Sequence, residues 1–152
     1  MIHIKTKPGL QVSLSHRVLK KAAQQTLEHQ AILKPHAMTI LLSDDSQLQK
    51  LNRDYLKIDA PTDVLSFPSG EIDLETGEKY LGDVIISVSR AEQQAKAAGH
   101  SLEAEAQLLI VHGVLHLLGF DHASAGEKSR MWKAQGEILI SLGLRHIQVK
   151  QE

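Results

Sequence analysis

Three histidines fall within eleven residues of this chain: His112, His116 and His122, in the run HGVLHLLGFDH. The gaps are four and six residues, and Gly119 sits inside the second. An imidazole is costly to bury among Val, Leu and Phe unless its nitrogens find partners, and a neutral imidazole is a good ligand for divalent metals. On a helix, His112 and His116 lie one turn apart on one face and can converge on a single ion. Gly119 lets the chain turn sharply through positive φ, which would return His122 as a third nitrogen. Three nitrogens with a fourth position open is the arrangement of catalytic zinc, whereas structural zinc is usually closed by four protein ligands. The chain has no cysteine, so thiolate sites and disulfides are excluded and any metal must be held by His, Asp or Glu. Three imidazoles also suit nickel, copper or iron. Asp121, beside His122, is a candidate to orient a ligand ring through its carboxylate.

The alternative is three unrelated histidines, each hydrogen-bonded in or near the core, and it requires a coincidence of spacing. The same spacing matches the metzincin pattern H-E-x-x-H-x-x-G-x-x-H with one exception. Gly113 stands where the protease carries its glutamate base. Peptide hydrolysis needs a group that moves a proton from water to the leaving amine, and glycine has none. Met131 falls in the expected last helix and reads as core rather than as a Met-turn.

The elements that must position these rings are legible in outline. IHIKTK alternates apolar and polar residues as a half-buried strand. Ser15 is placed to cap a helix to about Gln30. MTILLS (38–43) is nearly all apolar, as a central strand should be. Asp44, Asp45 and Ser46 offer caps to a helix with Leu48, Leu51 and Tyr55 at helical spacing. Pro61 biases Ala60 away from helix, and a short strand follows at Val64–Phe67. SGEIDLETGEKY reads as a loop or hairpin and GDVIISV (82–88) as a strand. SRAEQQAKAAG is a helix stopped by Gly99. Ser101 caps a long helix that ends at Gly119, and SAGE (124–127) matches a capping box before a last helix to about Leu142. The order predicts one α+β domain over residues 1–152: a small mostly parallel or mixed sheet covered by about five helices. The metal ligands would then sit on a long central helix and the turn after it.

Composition narrows the function classes. The chain has 152 residues, 42% hydrophobic and 23% charged, with a formal charge of −1. That suits one globular domain, and no apolar run is long enough to span a bilayer. MIHIKTKPG does not read as an export signal, so a cytoplasmic protein is expected. Residues 1–42 carry six Lys/Arg against Glu28 alone, while residues 43–105 carry thirteen acidic side chains. A local basic surface is therefore compatible with near neutrality. Aromatics number five, which limits base stacking and favours recognition by shape and phosphate.

HGVLHLLGFDH and PTDVLSFP (61–68) together resemble the two signatures of the YbeY family of bacterial endoribonucleases, also called rRNA maturation factors. YLGDVIIS (80–87) and SDDSQLQKLNRDY (43–55) resemble the stretches around them, so the likeness covers about residues 38 to 140. The resemblance implies a zinc-dependent, single-strand-specific endoribonuclease acting in maturation of the 16S rRNA 3′ end and in ribosome quality control. Its implied partners are rRNA precursor and the small ribosomal subunit with its proteins, not DNA and not membrane. The family usually has an arginine directly after the tyrosine of LNxxY, and here Leu56 stands there, followed by Lys57. Lys57, as a point charge, and Arg53, one turn earlier, are the candidate phosphate contacts. Two other functions remain open on the residues alone. One is a ribosome-assembly binding protein with a structural zinc, the other a zinc hydrolase of another ester or amide.

Overall fold

The computed structural model describes residues 1–147; residues 148–152 of the expected 1–152 domain lie outside the described residues. Four strands, β1 (Ile2–Thr6), β2 (His36–Ser43), β3 (Val64–Pro68) and β4 (Lys79–Ser87), form one sheet in the order β1-β2-β4-β3. β1 and β4 each pair with β2 in parallel, and β3 pairs with β4 antiparallel, so the sheet is mixed. Five helices accompany it: α1 (His16–His29), α2 (Asp45–Leu56), α3 (Val88–Ala98), α4 (Leu102–Leu117) and α5 (Ala125–Ser141). This is the α+β class that the element order predicts.

The helices start where the sequence supplies an oxygen for orphan amides. Ser15, Asp44, Ser87, Ser101 and Ser124 each accept from the backbone N–H three residues on. Ser124 and Glu127 form only half of a capping box, because the serine hydroxyl itself donates to the Glu127 carboxylate. Strand bounds differ slightly from expectation. β2 begins at His36 and β4 at Lys79, since polar residues at strand starts carry no apolar signal. β4 ends at Ser87, which doubles as the cap of α3.

The two sheet faces are covered unequally. Met38, Ile40, Leu42, Val84 and Ile86 pack in the main core with α1, α4 and α5. Leu41, Leu65, Ile85 and Phe67 point the other way and meet Leu48, Leu51 and Tyr55 of α2. β2 is thus apolar on both faces at its centre, which is why MTILLS shows no alternation. α4 is the hub of the structure, touching α1, α3, α5, β3 and β4. No described helix is long and apolar enough to cross a membrane.

Candidate metal centre

α4 is buried almost all round. From Ala104 to Leu117 every side chain is buried except those of His112 and His116. The two histidines therefore mark the one strip where this core helix meets solvent. Next to the strip, the flank of the helix is pressed against the sheet at Gly113. A Cβ on Gly113 would lie 2.7 Å from Val84 Cγ1 and 3.2 Å from Ser66 Oγ. Ser66 also donates a hydrogen bond to the Gly113 carbonyl at 2.9 Å, tying β3 to the helix between the two histidines. Gly113 is a glycine for want of room, so the glutamate of the protease pattern has no place here.

The helix ends in a Schellman turn. Gly119 has φ +100°, its N–H donates to the His116 carbonyl, and the Phe120 N–H donates to the Leu115 carbonyl. The turn folds His122 back over the strip, and its backbone is fixed by a 2.7 Å hydrogen bond from His122 N to Asp121 Oδ1. The three rings come together, with centroids 4.7 Å apart for His112 and His116, 5.3 Å for His116 and His122, and 5.9 Å for His112 and His122. One nitrogen from each lies within 4.8 Å of the others, so the group could hold a metal ion. His112 Nε2 and His116 Nε2 are 3.1 Å apart. Two nitrogens on a tetrahedral zinc stand about 3.3 Å apart, so this pair needs little adjustment to share an ion.

Burial and mutual repulsion keep the inner two rings neutral, as ligands must be. Burial, then the neighbouring His116, pushes His112 down to about 4. Burial, then His122, lowers His116 as well. His112 is also held from behind. Its Nδ1 lies 3.0 Å from Oε1 of Gln135, which is buried on α5. Trp132, one turn earlier on α5, stands beside the His112 and His122 rings at 5.8 and 5.9 Å. Behind the centre, a cavity of about 90 Å³ is bounded by Gln94, Glu105, His112, Trp132 and Gln135. Glu105 itself is occupied by His100, at 2.6 Å.

In front of the histidines opens a cleft of about 580 Å³, whose far wall is the stretch Thr62–Ser66 with Pro68 and Leu56. Its lining residues include Asp63 and Asp121 but no lysine or arginine. Asp121 is thus at the cleft and beside His116, but its hydrogen bond goes to the His122 backbone rather than to a ring. Arg53 and Lys57 lie outside the lining. Arg53 faces Asp54 at 3.4 Å and Asp59 at 4.0 Å, and Lys57, in the left-handed C-cap of α2, donates to the Asp54 carbonyl. Leu56, half exposed, takes the cleft position on that helix.

Sequence reasoning did not find Gln135 or Trp132. For Gln135 a signal was present: it interrupts the apolar stripe Met131, Ala134, Ile138, where a buried amide must have a partner.

The family model described as Endoribonuclease YbeY matches residues 2–143. A protein of Roseiflexus sp. named Endoribonuclease YbeY is 39% identical over 149 residues, covering 94% of this chain and 93% of that one. Proteins of the same name from Acetivibrio thermocellus and Aquifex aeolicus are 38% and 47% identical, covering 84% and 68% of this chain and 86% and 68% of theirs. A solution structure from Thermotoga maritima matches with a TM-score of 0.58 at 21% identity, over 100% of this chain and 99% of that one, which supports the fold.

Proposed function

This chain belongs to the YbeY endoribonuclease family, and from that premise we propose that residues 1–152 form one zinc-dependent, single-strand-specific endoribonuclease domain. The substrate in this reading is precursor rRNA at the 3′ end of 16S, and the setting is ribosome quality control in the cytoplasm, beside the small subunit and its proteins. One observation carries it: three convergent imidazoles on the wall of an open cleft, in a chain of endoribonuclease ancestry.

The donor set fits zinc. It is nitrogen only, two rings are held neutral by burial, and among the described residues no fourth His, Asp or Glu joins the group. Zinc held by His112, His116 and His122 would supply a Lewis acid and water that ionises near neutral pH. The chain's own residues define the rest. Gly113 and the His112–His116 turn are pinned against β3 and β4, so the donor positions are rigid. The stretch Thr62–Ser66 forms the wall against which a strand would lie, with Ser66 already committed to the helix. Asp121 stiffens the turn that carries His122. Lacking cations in its lining, the cleft offers RNA little attraction beyond the metal's charge. Arg53 and Lys57, outside it on α2, would contact phosphates further along the strand.

The test is cleavage of ribosomal precursor RNA by the zinc-loaded protein beside its His112→Ala variant. Wild-type cleavage lost in the variant is the expected result, and inactivity of both would end the proposal. Chelation separates the catalytic from the structural role of zinc. A folded, inactive metal-free protein is expected here, whereas loss of helix on stripping would favour an assembly factor with structural zinc.

A further inference from the structure

We propose that Gln135 is a positioning residue: its carboxamide sets the His112 ring with Nδ1 protonated, leaving Nε2 bare for a metal ion. The inference rests on reading the three histidines as ligands, and it deepens that reading by locating its control on a different helix. Gln135 is 2% exposed and its Oε1 stands 3.0 Å from His112 Nδ1. On the other side of the same ring, His112 Nε2 faces His116 Nε2 at 3.1 Å, the point where an ion would bind. A neutral imidazole carries one proton, so what Gln135 offers to Nδ1 decides what Nε2 can do.

The amide can offer either end. With Oε1 toward the ring, Nδ1–H donates and Nε2 keeps its lone pair for a metal. With the amide turned over, its N–H would donate to Nδ1, the ring proton would move to Nε2, and the ligand position would be blocked. Hydrogen-bonded partners of ligand histidines are usually carboxylates, carbonyls or water, which offer an acceptor. A glutamine therefore works only in one of its two orientations. α5 fixes where the amide stands relative to the ring, and the orientation seen has Oε1 toward Nδ1. Trp132 packs on the His112 ring one turn before Gln135, and Met131 and Ile138 anchor the same helix face in the core.

Two substitutions separate positioning from packing. Gln135→Leu keeps the volume and removes the acceptor; Gln135→Glu keeps the acceptor and removes the possibility of a flip. Zinc affinity is measured by competition with a chromophoric chelator, with helical content and melting of the metal-free proteins followed in parallel. Affinity lowered 10–100-fold in Gln135→Leu, and restored to wild type or better in Gln135→Glu, is the expected result. Equal affinity in wild type and Gln135→Leu would overturn the inference, as would an equal loss in both variants. If wild type binds no zinc, the ligand assignment itself fails, which is a different outcome. Nitrogen NMR of the metal-free wild type needs no variant: His112 protonated at Nδ1 supports the proposal, and protonation at Nε2 overturns it.

Discussion

Two helices reach the same cleft and share little else. α4 is buried on every side except at His112 and His116, while α2 buries only Leu48 and Asn52. α4 is gripped by five neighbouring elements and by a side-chain hydrogen bond from Ser66. α2 lies on the thinly covered face of the sheet and presents Arg53, Tyr55, Leu56 and Lys57 to solvent. Metal ligands need fixed donor positions, so they belong on a helix whose every other face is packed. Contacts to a flexible polyanion tolerate mobility, so cations on the loosely held helix suffice for them. On the proposed function, the difference between core helix and surface helix is a difference between chemistry and capture.

The largest expected effect comes from breaking the rigid side at its ligand. His116→Ala should lower RNA cleavage on the order of 10³-fold in single-turnover assays, the loss of several kcal/mol of charge stabilisation. Substituting Arg53 with alanine should leave chemistry at saturating RNA unchanged. Similar losses in both would erase the distinction between the helices.

Acid tests the same side without mutation. The unfolded His112 ring takes up a proton near pH 6.5, whereas in the folded protein it does so only at about 4. Between those values the unfolded state binds more protons, so stability falls as pH falls. The contribution is complete above pH 6.5 and costs up to about 3 kcal/mol by pH 4. His116 shifts the same way and adds to the slope. Asp44 and Asp45 are held below the usual carboxylate range by Lys7 and Arg90 and act only at lower pH. Denaturant titration of metal-free protein across pH 7 to 4 should show this slope, and the His112→Ala variant should flatten it.

Packing against the sheet comes next. Gly113→Ala places a methyl group into Val84 and should destabilise the fold by roughly 1–3 kcal/mol, weakening metal binding with it. Arg53→Ala should stay within about 0.5 kcal/mol of wild type. Calorimetry on both variants checks the contrast.

What could be read in advance follows the same division. The three histidines, Gly119 and the caps Ser15, Asp44, Ser101 and Ser124 act through neighbours within a turn or two, so their spacing alone reveals them. Gly113 was visible as a missing base, but the reason for it, Val84 and Ser66 pressed against the helix, depends on strand order and could not be read. Gln135 meets His112 from a helix that begins after the turn, a long-range contact with no periodic signature beyond an amide in an apolar stripe. Arg53 and Lys57 were named as stand-ins for the arginine that the family resemblance expects where Leu56 stands; it is Leu56 itself that lines the cleft, and its two cationic neighbours lie outside the lining.

The smallest effect sharpens the surface side. Leu56→Arg would bring a cation into a lining that has none, and should tighten RNA binding a few-fold and steepen its salt dependence by about one unit. An unchanged slope would mean the strand does not pass α2.

X-ray absorption on the zinc-loaded protein tests the central claim most directly. One ion per chain, held by three imidazole nitrogens at about 2.0–2.1 Å with an exchangeable oxygen in the fourth place, is the predicted result. A fourth protein ligand in that place, or an ion that ignores His112, His116 and His122, would contradict the account.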